Sequence, residues 1–271
     1  MVQQYIFFFL FFLLIGSFFN VVLFRKNTGL SFVKGRSRCP SCNTELRFFE
    51  NIPLVSFLVL KGRCRTCKTR FSWQYPIVEL SVSLLGVLLW YISGKSSIAQ
   101  EWNFLALLLF FFSLFLVSVY DTRTKIIDRH FLAFSLVGAI LMGLTRWVYV
   151  SDGFSYFLAD FFTAFLLWLF FWGLWFLSGE TWMGRGDSDV AFVIGLGLGF
   201  PHGFFAILFG FWIAAFVGIV LIAISSFLRH SGLRPQKMSL KTEIPFAPFL
   251  ALGALTALVY GDMFLDLFLW V

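Results

Sequence analysis

Long apolar runs constrain this chain more than any other feature. They fall at residues 5–24, 76–93, 102–120, 131–150, 154–178, 190–200, 204–228 and 244–268. A run of ~20 apolar residues is the length that crosses a bilayer as a helix. Within lipid the backbone must satisfy its own hydrogen bonds, which favours a helical bundle. Only 13% of residues are charged and 59% are hydrophobic, against about 25% charged in an ordinary soluble domain. The expected fold class is an all-α polytopic membrane protein with about eight transmembrane helices. The sixth run is short but glycine-rich, with Gly195, Gly197 and Gly199. Small residues there allow close packing against neighbouring helices.

The polar segments set the expected organisation: a first helix at 1–24, a polar module at 25–75 and a helical bundle at 76–271. The first run reads as a span and not as a signal peptide, because residues 1–4 carry no positive charge and no small-residue cleavage site follows. Arg25 and Lys26 come directly after it. With the N-terminus outside, the inner loops are 25–75, 121–130, 179–189 and 229–243, and they hold 19 of the 21 Lys and Arg residues. Only Lys95 and Arg146 fall elsewhere, the asymmetry expected of cytoplasmic loops.

All four cysteines lie in the module, as Cys39-Pro-Ser-Cys42 and Cys64-Arg-Thr-Cys67, with 21 residues between the pairs. This spacing fits a closed tetrahedral zinc site, structural in kind because four thiolates leave no open position. Two disulfides are the alternative, disfavoured in a cytoplasmic loop. Arg38, Arg63, Arg65 and Lys68 are the expected thiolate-stabilising neighbours. The stretch 52–60 is too short to span and is expected to pack on the bilayer or the bundle. The basic module lacks interleaved aromatic platforms, so it reads as facing lipid or a leader peptide, with no nucleic-acid partner.

Two aspartates stand at ends of apolar runs on the expected cytoplasmic side. Asp121 follows the run 102–120. Asp187 closes Gly184-Arg185-Gly186-Asp187, whose two glycines let the backbone turn and approach another segment closely. A carboxylate at membrane depth is costly and marks a functional candidate. Two carboxylates brought together share a proton, so one serves as base and the other as acid. Asp128 and Asp189 read as interfacial charges or as partners of Arg129 or Arg185. Glu79 is expected to bond Gln74, Tyr75 or a basic loop residue, and Asp160 and Asp262 to anchor helix ends. His130, His202 and His230 have no metal-binding spacing, and no nucleotide-binding or serine-hydrolase motif is present.

The order of motifs resembles the bacterial type IV prepilin peptidases. Gly16-Ser17-Phe18-Phe19-Asn20 through Arg25 is similar to that family's N-terminal GSFLNVVIYR. The two cysteine pairs, with Asn51-Ile52-Pro53 between them, follow its cysteine module. Gln74-Tyr75-Pro76-Ile77-Val78-Glu79-Leu80 resembles RYPLVEL. Asp121-Thr122-Arg123-Thr124 matches the segment of the first catalytic aspartate, and Gly184–Asp187 the GxGD motif of the second. Ile244-Pro245-Phe246-Ala247-Pro248 resembles IPFGP, with Ala247 in place of glycine. Two further departures are Asp128-Arg129, where the family has Pro-Asn, and Asp189, where it often has lysine.

The resemblance implies an inner-membrane aspartyl endopeptidase with Asp121 and Asp187 as catalytic pair. It would remove the basic leader of a type IV prepilin or a type II secretion pseudopilin at the cytoplasmic face. Many members also methylate the new N-terminus with S-adenosylmethionine, although no methyl-donor motif stands in this sequence. A basic leader is expected to meet local acids (Glu45, Glu50, Asp128, Glu180, Asp189, Glu243) or anionic lipid. A non-enzymatic scaffold or an ion-coupled transporter with a zinc docking module is the competing reading, but transporters bind near the bilayer midplane. A presenilin-like intramembrane protease would leave the cysteine module unexplained.

Overall fold

The computed structural model describes residues 2–94, 100–149, 153–230 and 245–269. Lys95 and residues 231–244, Glu243 and Ile244 among them, lie outside the described residues. The described helices are α1 (Val2–Arg25), α2 (Val55–Val59), α3 (Gln74–Ser93), α4 (Gln100–Thr124), α5 (Arg129–Tyr149), α6 (Gly153–Ser178), α7 (Arg185–Leu198), α8 (His202–His230) and α9 (Ala247–Leu269), with a 3₁₀ turn at Phe48–Asn51. Seven of them are long and apolar enough to cross a membrane: the protein is an all-helical, multi-pass membrane protein. The remaining apolar run, the sixth in order, lies in α7. At 14 residues that helix is about 21 Å long at 1.5 Å per residue, short of a full span.

The chain divides into two compact units, Met1–Ser96 and Ser97–Val271. In the first, α1 packs along α3. The ring of Phe8 lies 4.2 Å from that of Trp90, and Phe12 is fully buried. The cysteine module fills the sequence between these two helices. Part of the 52–60 stretch docks within this unit: the Leu54 N–H donates to Glu79 of α3 at 2.9 Å, and the Phe57 ring lies 5.1 Å from that of Trp73. Val55, Leu58 and Val59 stay exposed.

In the second unit α7 is the innermost element. Val190, Ala191, Val193, Ile194 and Leu196 are buried along it. It packs against α5, α6, α8 and α9. A Cβ on Gly195 would stand 2.8 Å from the Ala164 Cα of α6. The glycine therefore lets the two backbones touch, as its sequence context suggested.

The far end of α7 is closed by Arg146. Its guanidinium donates to the carbonyls of Leu198 at 2.9 Å and Gly197 at 2.6 Å, and pairs with Asp160 at 3.2 Å. Terminal carbonyls without intrahelical partners are thereby capped by a cation, which the helix dipole also favours. Asp160 does anchor a helix end as anticipated, but from a buried position, 4% exposed. Asp262 anchors another, paired with His202 of α8 at 3.0 Å.

Candidate active site and metal centre

Asp121 sits in the last turn of α4. The helix stops there because Lys125 takes a left-handed conformation, φ 55°, and its N–H closes on the Asp121 carbonyl at 2.7 Å. Asp187 sits in the first turn of α7. Its carboxylate accepts the Gly184 N–H at 3.2 Å, and its own N–H donates to the Gly184 carbonyl at 3.1 Å. The Gly184 loop and the helix start thus hold each other. A carboxylate in a first turn also complements the helix dipole.

The two carboxyl groups are 5% and 7% exposed. Burial pushes the Asp187 pKa up to about 7, the charge of Asp121 adds to the rise, and the Gly184 N–H opposes it. A third element joins them. The backbone N–H of Ala247, the first residue of α9, donates to the Asp121 carboxylate. Ala247 is buried, and its φ is not positive, so alanine fits where the family has glycine. The resembling motif contained this residue, but nothing in the sequence said that its amide meets Asp121.

The two motif glycines differ in role. Gly184 is extended, φ −76° and ψ 148°, and a Cβ there would meet only the Asp187 carboxylate at 3.7 Å. A Cβ on Gly186 would stand 2.8 Å from Ile127 Cδ1 and 3.0 Å from its Cβ. Gly186 is the position where the α4–α5 connection presses on α7.

Asp128 and Glu79 have partners that the sequence did not suggest. Asp128 serves a helix start. Its Oδ1 caps α5 by accepting the N–H groups of His130 at 3.0 Å and Phe131 at 3.2 Å. Glu79 accepts neither from Gln74 nor from Tyr75. Its donors are the Leu54 N–H and the Ser17 hydroxyl. Asp189 is exposed on α7.

The four cysteines converge. No disulfide joins them, and their sulfurs lie within 4.8 Å of one another. The Sγ atoms of Cys39 and Cys67 are 3.7 Å apart, and those of Cys42 and Cys64 are 3.9 Å apart. A tetrahedron with Zn–S of about 2.3 Å has edges of about 3.8 Å, so the sulfurs fit a four-thiolate metal site.

Each pair belongs to a repeated Cys-x-x-Cys-x-Thr turn. Cys39 N–H donates to the Thr44 carbonyl at 3.0 Å, and Cys64 N–H to that of Thr69 at 2.8 Å. Asn43 and Lys68 supply the left-handed residue of each turn, φ 56° and 61°. The groups that favour thiolate are chiefly these threonines, not the basic neighbours. The Thr69 hydroxyl and then its N–H bring Cys67 down to about 6, and Thr44 lowers Cys42 in the same way. Burial pushes Cys39 up to about 11.

Residues 10–93 match the bacterial peptidase A24 N-terminal domain, and residues 108–223 match the type IV leader peptidase family. The prepilin leader peptidase/N-methyltransferase of Aeromonas hydrophila is 31% identical over 94% of this chain and 90% of its own length. That of Pseudomonas aeruginosa is 29% identical over 92% and 88%. That of Myxococcus xanthus is 49% identical over a shorter stretch, 30% of this chain and 24% of its own. No solved structure matched. Motif order, helical architecture and these likenesses agree, and the chain belongs to the type IV leader peptidase family.

Proposed function

We propose that this protein is an aspartyl endopeptidase that removes the basic leader of prepilin-type precursors at the cytoplasmic face of the bacterial inner membrane, with Asp121 and Asp187 as its catalytic pair. The reading is supported by two buried carboxyl groups, one in the last turn of α4 and one in the first turn of α7, with the Asp121 charge among the causes that raise the Asp187 pKa. Burial and the neighbouring charge favour a proton on Asp187. Asp121, which accepts the Ala247 amide, is the ionised member.

In this reading Asp121 takes a proton from water as the water attacks the scissile carbonyl. Asp187 gives its proton to the carbonyl oxygen, and the acid–base pair then protonates the leaving amine. No covalent nucleophile is required. Positive-inside charge bias supports an outer N-terminus and an inner site.

The relatives' second printed activity, N-methylation, is proposed here as well. S-adenosylmethionine would supply an electrophilic methyl group. Zinc in the four-thiolate site would hold the module's two turns together and perform no chemistry.

Leader recognition falls to few acids. Glu45 is paired with Arg38 at 2.8 Å, Glu50 accepts the Arg47 N–H at 2.7 Å, and Asp128 caps α5. Glu180 and Asp189 are exposed and are the proposed contacts for leader lysines or arginines.

The test is cleavage of a prepilin by full-length protein in a bilayer, with Asp121→Asn and Asp187→Asn tested singly. Each is expected to lose cleavage by about 10²-fold or more. Wild-type processing by either variant would refute the pair.

A further inference from the structure

Two motifs are left unused by peptide cleavage: Gly16-Ser17-Phe18-Phe19-Asn20 and Tyr75–Glu79. They meet face to face in the first unit. Gly16 lies against α3 so closely that a Cβ there would stand 2.8 Å from the Glu79 Cα. One turn along, Asn20 Nδ2 donates to the Tyr75 carbonyl at 3.0 Å, which fixes the orientation of the amide. Its Oδ1 then has no hydrogen-bond partner and no exposure, in a residue only 4% exposed. Ser17 and Asn20 are three apart on α1 and share a face. The Ser17 hydroxyl reaches Glu79, whose carboxylate is itself buried, 7% exposed.

A buried acceptor with nothing to accept is costly, and each such group asks for an explanation. An apolar residue at position 20 would avoid that cost. Asn20 stands one turn of α1 from Ser17, whose hydroxyl reaches the Glu79 carboxylate, and its amide is tied to Tyr75, one turn of α3 from Glu79. An acceptor beside a negative charge suits a ligand with several N–H donors and a positive charge, which is a primary ammonium.

We propose that Asn20 and Glu79 bind the α-amino group of the cleaved substrate chain and that Glu79 prepares it for methylation. This rests on the proposed second activity but not on the aspartate pair. The bound ammonium gives one proton to the Glu79 carboxylate. The freed nitrogen lone pair attacks the methyl carbon of a sulfonium donor. The N–C bond forms, the C–S bond breaks with its electron pair left on sulfur, and Glu79 returns its proton to solvent. Asn20 Oδ1 accepts a remaining N–H and aims the lone pair. Ser17 holds the Glu79 carboxylate in place.

The experiment uses the full-length chain in nanodiscs, carrying Asp121→Asn so that no cleavage is needed. The probes are a fluorescent peptide with the free N-terminus of a mature pilin-type helix and its N-acetylated twin. The free amine is expected to bind about tenfold more tightly than the acetylated form, the size of one charge-assisted contact. Glu79→Gln keeps an acceptor for the Leu54 N–H but loses the charge, and Asn20→Leu removes the orphan. Each is expected to abolish the preference, and Glu79→Gln to lower methylation of the free peptide, read as added mass, by about 10²-fold. Retained metal and an unchanged unfolding midpoint in Asn20→Leu establish that the helix pair is intact. The proposal is overturned if the parent Asp121→Asn chain shows no preference, if either further variant keeps it, if they weaken both peptides equally, or if the free peptide is never methylated. None of these outcomes touches the aspartate pair, which the cleavage assay tests separately.

Discussion

Glu79 in the first unit and Asp187 in the second are both buried carboxyl groups on apolar helices, and their neighbours differ. Glu79 is met by neutral donors, the Leu54 N–H and the Ser17 hydroxyl. Asp187 is met by one N–H and by a second carboxylate, Asp121. Under the proposal above, the lone carboxylate receives an ammonium group. A second carboxylate makes a proton-sharing pair. Two carboxyl groups at similar burial, one from glutamate and one from aspartate, thus differ in the partners that surround them.

The largest expected effect breaks the pair. Asp121→Asn or Asp187→Asn is expected to lower prepilin cleavage by about 10²–10⁴-fold, read as lost leader mass. Methylation of a pre-cleaved peptide is the contrasting readout, which the proposal for Glu79 assigns to the first unit.

Next comes the frame that carries Asp187. Arg146→Met leaves Asp160 buried without its cation and the carbonyls ending α7 without their cap. Losing one partner of a buried pair costs about 3–5 kcal/mol, so the unfolding midpoint of the second unit is expected to drop sharply. Double replacement with Asp160→Leu is expected to recover part of that loss.

A change of middle size concerns Gly186. Gly186→Ala drives a methyl group into Ile127, and overpacking of this kind costs about 1–3 kcal/mol. Activity is expected to fall several-fold, and Ile127→Ala in the same chain is expected to restore it. Restoration would assign the glycine to close approach and not to a special backbone angle.

The pH dependence sharpens the comparison further. The Asp187 pKa is raised in the folded chain, to about 7, above the ordinary carboxylate value. Its contribution to stability is therefore fully present below the ordinary carboxylate range and is lost as pH rises through about 7. Cleavage is expected to decline over the same alkaline limb, because the acid proton is lost. Asp187→Asn should flatten the stability profile near neutral pH. An unchanged profile would break the assignment of that limb.

The smallest expected effect is at the surface. Asp189→Lys restores the residue the family often carries at an exposed position. Exposed charge pairs contribute ~0.2–1 kcal/mol, so KM for a basic leader is expected to rise by a few-fold with kcat unchanged.

Much of this protein is written in local pattern. Run length and hydropathy determined a multi-pass helical protein, because the bilayer fixes both the length and the self-satisfied backbone of each span. Cysteine spacing determined a candidate metal module, because each Cys-x-x-Cys closes one turn. The two aspartates were legible as polar ends of apolar runs. Tertiary structure alone decided the partners. It brought the Ala247 amide to Asp121, set Ile127 against Gly186, turned Asp128 into a cap and drew Arg146 to the end of α7. It also replaced the expected basic neighbours of the cysteines by Thr44 and Thr69. Such pairings join residues far apart along the chain, or depend on which way a short turn closes, and no periodicity in the sequence records either.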